Sequence, residues 1–295
     1  MANHSRFTIQ DSRLGGHLLR GPALSSFRPR GDTIPNDPNV FPVHAFFRFY
    51  GALNDFLPAQ RRRATLRYGF SSRASVKDMI EALGVLHPEI ERLVVNGEFV
   101  DFHYLVSDGD RVVAYPTFHA LDLGDAGRLS PQRPGALRFI ADVHLGRLAA
   151  YLRLAGFDTD YRNDYTDPAL AQLSAIEDRV LLTRDVELLK RAIVTRGCYV
   201  RNTQPGRQLV EVLRRFDGVA AAQPFTRCPR CNGFLQRVDK ADVIDRIPPR
   251  TRDCHDLFSQ CTACAAAYWP GSHYGRIQRF LTVAFSSASR LAQGK

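Results

Sequence analysis

The apolar rhythm of the chain changes twice, and each change marks a different kind of structure. Over residues 43–50 and 66–70, short runs dominated by aromatic and β-branched residues predict strands. Ser75 offers an N-cap for a helix over 76–83, with Asp78 in its first turn and Gly84 at its end. The runs 93–96 and 98–102 flank Asn96-Gly97, a hairpin signal, and Asp108-Gly109-Asp110 turns into a strand over 111–115. From residue 137 strands alternate with helices. A strand over 137–141 precedes a helix over 144–155, whose stripe is Leu145, Leu148, Ala149, Leu152 and Ala155, with Gly156 at its C-cap. A strand over 157–161, a helix opened by Asp167-Pro168, a strand over 179–183, a helix to about 196, a strand over 198–201 and a helix from Pro205 to 216 follow. That order predicts a parallel sheet flanked by helices.

Between these blocks the periodicity is lost. Residues 1–40 mix Gly, Pro, Ser, Asn and Arg and predict a flexible arm, and 119–136, with its Gly and Pro, predicts a linker. The expected organisation is an arm (1–40), a small mixed domain (41–118), a linker (119–136), a parallel α/β domain (137–222) and a cysteine-bearing C-terminal unit with a tail (223–295). A length of 295 residues accommodates two domains and a small third. The formal charge of +10 favours a polyanionic partner without choosing between nucleic acid, an acidic lipid surface and solubility. Its distribution says more: segments 1–40, 41–120, 121–224 and 225–295 carry +2, 0, +2 and +6. No apolar run approaches the ~18 residues of a membrane span, and the N-terminus has no signal-peptide core, so a soluble cytoplasmic protein is expected.

Ligands of an open parallel sheet bind beyond the carboxyl ends of its strands. Asp142 and Asp185 fall at or just past two such ends, and Asp164 follows a third by a few residues, with Asp160 and Asp167 as nearby alternatives. Carboxylates gathered there repel unless a cation holds them, and hard oxygen donors suit Mg²⁺ or Mn²⁺. A site of that kind can activate water for phosphodiester hydrolysis, with Arg147 and Arg184 placed to contact phosphate. The competing reading makes each Asp a helix cap or turn residue.

Cys228-Pro-Arg-Cys231 and Cys261-Thr-Ala-Cys264 are two CxxC pairs separated by 29 residues. Four thiolates match the closed shell of structural zinc, which leaves no position for catalysis. The long separation predicts an extended hairpin or an insertion. Cys254 reads as a spare thiol and Cys198 as buried in its strand. Arg227 and Arg230 flank the first pair, and Tyr268 and Trp269 follow the second as stacking or packing residues.

The segments Phe139-Ile-Ala-Asp142-Val-His-Leu-Gly146, Leu181-Leu-Thr183-Arg-Asp185 and the Cys-Pro-Arg-Cys to Tyr268-Trp269-Pro-Gly-Ser-His273 tail resemble the Mut-seven C-terminal RNase domain family. The resemblance implies a PIN-like nuclease fold with an appended zinc ribbon. In it Asp142 and Asp185 correspond to metal-binding acids, Asp164 to a third and Thr183 to a supporting hydroxyl. His144 stands where an apolar residue such as Met is expected. Phe47-Arg-Phe-Tyr-Gly51, Val95-Asn-Gly97-Glu and Asp108-Gly-Asp-Arg-Val-Val-Ala-Tyr-Pro116 resemble the ubiquitin-like β-grasp domains related to sulfur carriers. A carrier needs a free C-terminal Gly-Gly. Here the corresponding end runs through Tyr115-Pro-Thr-Phe118, so sulfur transfer is not expected and a protein contact is.

The fold class expected is therefore α/β: a β-grasp domain, a PIN-like sheet and a zinc ribbon. The function expected is a metal-dependent ribonuclease with Mg²⁺ or Mn²⁺ at Asp142, Asp164 and Asp185, structural Zn²⁺ at the four cysteines, and RNA held by Arg147, Arg184, Arg227 and Arg230. The alternative is a non-catalytic RNA-binding or adaptor protein, and a weaker third is an interaction module in sulfur metabolism.

Overall fold

Alternation along β1 (Val43–Phe49) buries Ala45, Phe47 and Phe49 on one face. The computed structural model describes residues 43–116, 127, 129 and 137–293. The arm expected over 1–40 and most of the linker expected over 119–136 lie outside them. The first domain continues with β2 (Thr65–Phe70), α1 (Val76–Ala82), β3 (Arg92–Val95), β4 (Glu98–Val100) and β5 (Arg111–Tyr115). Its strand order is β2-β1-β5-β3-β4, with β1 and β5 parallel and the other pairs antiparallel, the β-grasp arrangement. Val76, Met79 and Ile80 of α1 share the core of the inward β1 residues. Ser75 caps α1 by accepting the Asp78 amide at 3.1 Å. Asn96 and Gly97 both take positive φ, as the tight hairpin between β3 and β4 requires.

The second domain comprises β6 (Arg138–Ala141), α2 (Gly146–Leu154), β7 (Asp158–Asp160), α3 (Asp167–Ile176), β8 (Val180–Thr183), α4 (Val186–Leu189), β9 (Gly197–Tyr199) and α5 (Pro205–Arg215). All strands of its sheet are parallel, in the order β7-β6-β8-β9. Gly156 takes φ +97°, and a Cβ there would meet the Gln223 carbonyl oxygen at 2.1 Å, so the C-cap glycine also admits the chain that leaves this domain. The helix expected to run to about 196 stops at Leu189. Tertiary contact overrides propensity here: Leu188, Leu189 and Val194 sink into the first domain's core, and His87 Nε2 lies 3.0 Å from the Val194 carbonyl.

The cysteine-bearing unit is an antiparallel sheet of β10 (Leu235–Val238), β11 (Phe258–Cys261) and β12 (Ala267–Tyr268). Between β10 and β11 lie α6 (Lys240–Val243) and α7 (Pro249–Cys254), an insertion that accounts for the long spacing between the CxxC pairs. The last element, α8 (Tyr274–Gln293), leaves this unit. Leu281, Ala284 and Ala288 pack with Leu209, Val212 and Leu213 of α5 in the second domain's core. The segment expected as a ribbon tail thus completes the α/β domain. No helix among the described residues is long and apolar enough to cross a membrane.

Both open edges of the parallel sheet are closed by neighbouring units. At β9, the Tyr199 amide donates to Glu89 Oε1 at 2.7 Å, and the fully buried Glu89 carboxylate is paired with Arg215 at 2.8 Å. At β7, the Thr159 amide donates to Asn232 Oδ1 at 3.1 Å, while Arg153 donates to the Thr159 carbonyl and to the carbonyls of Pro229 and Arg230. An unpaired strand edge is a template for aggregation, and here side chains from the flanking units occupy it.

Candidate active site and metal centre

The carboxyl edge of the parallel sheet brings three of the expected site residues together. Asp142 follows β6, is 5% exposed, and makes no cap bond with its side chain. Its Oδ2 accepts the Thr183 hydroxyl at 2.6 Å. The same hydroxyl oxygen accepts the Asp185 amide at 2.9 Å, so one Thr at the end of β8 ties both acidic positions to the sheet. Asp185 Oδ1 caps α4, accepting the amides of Glu187 at 2.8 Å and Leu188 at 3.3 Å. The cap reading is thus realised at Asp185 and not at Asp142.

Asp164 stands apart. It is 61% exposed and closed in a two-bond pair with Arg162, at 2.9 and 2.7 Å, which holds its carboxyl below the usual range. Asp160 is the nearby alternative. It ends β7 and pairs in register with Ile140 of β6, two residues before Asp142. Its Oδ2 accepts the Tyr165 hydroxyl at 2.7 Å, and burial together with that bond pushes the phenol up to about 12.

The arginines divide in two. Arg147, on the first turn of α2, and Arg230 are exposed. Arg184 sends Nη1 to the carbonyls of Val200, Arg201 and Asn202 at 2.6–2.9 Å, and so ties the end of β9 to the residue beside Asp185. Arg227 donates to the Asn232 carbonyl at 3.0 Å and lies 3.6 Å from Asp158.

Cys228, Cys231, Cys261 and Cys264 place their sulfurs within 4.8 Å of one another, the one such group of three or more His, Cys, Asp or Glu ligands among the described residues. Sγ–Sγ separations are 3.7 Å for Cys228–Cys264 and 3.4 Å for Cys231–Cys261. A tetrahedral ion with Zn–S bonds of about 2.3 Å asks for about 3.8 Å, so the quartet fits zinc. Burial alone would raise the Cys261 thiol, but the amides of Cys264 and Ala263 directed at its sulfur bring it down to about 7. Burial and the neighbouring sulfurs push Cys264 up to about 12, the mutual repulsion that a cation relieves. The Tyr268 hydroxyl sits 3.1 Å from Cys228 Sγ, and Trp269 packs against Val243, Ile247 and Phe258, so both aromatics serve packing within the ribbon.

Residues 137–281 match the family model of the Mut7-C RNAse domain, and residues 42–122 match that of the Mut7-C ubiquitin domain. No curated protein and no solved structure matches the chain.

Proposed function

From the premise that this chain belongs to the Mut7-C RNAse domain family, with that family's ubiquitin-like domain ahead of it, we propose that it is a metal-dependent ribonuclease acting at the carboxyl edge of the parallel sheet. The observation that carries this reading is the Asp142–Thr183–Asp185 linkage: a nearly buried carboxylate, free of any capping duty, held in orientation by a hydroxyl. Burying a carboxylate is costly unless something compensates it, and a single hydroxyl is modest compensation. One or two carboxylates plus water and phosphate oxygens are the usual ligands of Mg²⁺ or Mn²⁺, so the donors present fit such an ion. When bound, it would supply charge stabilisation and activation of water. Asp142 and Asp185 would hold it, Thr183 would fix the rotamer of Asp142, and Asp160, at the end of β7, would be the third acid in place of Asp164. Arg147 is placed to meet the RNA backbone, and the C-terminal segment 225–295, charged +6 across the ribbon and α8, extends that contact. Zinc at the four cysteines would be structural, because a full sulfur shell leaves no open position.

The test compares wild type with Asp142→Asn on single-stranded and structured RNA, with and without added Mn²⁺. Metal-dependent cleavage that disappears in Asp142→Asn is expected. RNA binding without cleavage in either protein would establish the adaptor reading instead, which the capping duty of Asp185 favours.

A further inference from the structure

Phe234 is the aromatic side chain of the ribbon that packing does not use. It is 57% exposed, whereas Tyr268 and Trp269 are turned into the ribbon. One of its faces is covered by the Arg227 guanidinium, whose central carbon lies 4.3 Å from the ring centroid. Arg227 is itself fixed by the Asn232 carbonyl and the Asp158 carboxylate, so the ring rests on an anchored base. Its backbone is equally constrained. Phe234 bridges Arg227 as an antiparallel pair, and its carbonyl accepts the Thr262 amide at 2.9 Å and the Thr262 hydroxyl at 3.3 Å. The preceding Gly233 carbonyl accepts the Cys228 amide at 2.7 Å, so the ring stands between the two cysteine turns.

Resting on the ribonuclease reading, we propose that Phe234 is a stacking platform for an unpaired RNA base. The chemistry favours a nucleobase over an apolar partner side chain for three reasons. The ring is polarised from below by a cation, which suits a broad π-face above it. Arg230 and Arg237 are exposed in the same small unit, whose residues 225–273 carry seven Lys/Arg against five Asp/Glu, a net +2 that attracts phosphate. A rigid, preorganised ring loses little conformational freedom on binding, which is what base stacking on a protein aromatic exploits. A duplex keeps its bases stacked on each other, so the platform selects single strands, loops or ends.

The test uses the full chain carrying Asp142→Asn, so that RNA survives, and a fluorescein-labelled oligonucleotide of about 12 nucleotides, single-stranded or as a blunt duplex. Phe234→Ala and Phe234→Leu are expected to weaken single-strand binding roughly 5- to 100-fold while changing duplex binding less than about twofold. Phe234→Trp is expected to retain affinity and to show quenched tryptophan emission on binding. Zinc content and melting temperature, read alongside, separate loss of the platform from loss of the ribbon's fold, and the Leu variant keeps the apolar bulk over Arg227. Single-strand binding that survives in both Ala and Leu variants overturns the platform alone, as does an equal loss for both RNA forms. Absence of binding and of cleavage in the unmutated protein overturns the ribonuclease reading with it.

Discussion

Thr183 has two jobs at one oxygen: it donates to Asp142 and accepts from the backbone of Asp185. Thr183→Val keeps the shape but leaves the nearly buried Asp142 carboxylate without its donor. Loss of such a bond costs roughly 1–3 kcal/mol, and the variant is expected to unfold at correspondingly lower urea. If the hydroxyl also sets the carboxylate's orientation for catalysis, cleavage falls by about tenfold or more per 1.4 kcal/mol of lost transition-state stabilisation, and Thr183→Ser recovers both readouts. A Val variant cleaving at the wild-type rate would remove Thr183 from the site. The two candidate third acids separate just as cleanly. Asp164 is occupied by Arg162 on an exposed surface, whereas Asp160 ends β7, the strand paired with β6. Asp164→Asn is expected to leave initial rates unchanged and Asp160→Asn to lower them sharply; the reverse result would restore the position that sequence spacing favoured.

At the scale of elements, strand periodicity, turn chemistry and caps were legible because they are local. Ser75, the Asn96-Gly97 hairpin and the β/α alternation stand where expected. The four cysteines converge as their spacing implied. What escaped was anything joining residues far apart in the chain: the contact that ends α4 at Leu189 and the return of α8 to the α5 face. The sealed edges of the parallel sheet belong to the same class, since Tyr199 and Glu89 are 110 positions apart. Removing the Glu89 side chain takes the acceptor from the Tyr199 amide and the carboxylate from Arg215 in a buried place, a change that typically costs about 3–5 kcal/mol. Glu89→Ala is therefore expected to lose stability on that scale in urea unfolding, with Glu89→Gln losing less. At the other edge, burial would raise the Asp158 carboxyl, but bonds from Arg179 and Asn232 outweigh it and hold the group below its ordinary value. A depressed folded-state value contributes stability above the unfolded value of about 3.9 and loses it as pH falls through the folded one. The stability gap between wild type and Asp158→Asn should thus be full at pH 7 and shrink as pH falls below the unfolded value; a gap independent of pH would exclude the ion pair as its source.

At the scale of the whole molecule, the neutral first domain does not bury its apolar face alone. Its core runs without interruption into the second domain: Phe47, Ile80 and Leu86 belong to the same buried cluster as Ile140, Leu181, Leu188, Leu189 and Val194. Phe56 faces Tyr199, with the Arg201 guanidinium 4.5 Å from the Phe56 ring centroid. Gly197 approaches so closely that a Cβ would meet Leu189 at 2.5 Å and Pro88 at 3.2 Å. A shared core couples the two folding equilibria, because unfolding the ubiquitin-like domain would strip apolar cover from α4 and leave the β9 edge open. Ile80, fully buried on α1, lies in the domain that carries no candidate acid. Ile80→Ala should remove about 2–5 kcal/mol through lost burial and the cavity left behind. If the domains fold as one, the urea midpoint for loss of RNA cleavage shifts with the midpoint for loss of far-ultraviolet ellipticity, and by the same amount. If they fold independently, the substitution lowers an early ellipticity transition and leaves the midpoint for cleavage where it was. The continuous core favours the first outcome, in which the ubiquitin-like domain acts as a structural part of the nuclease and fixes the strand edge two strands away from Asp142.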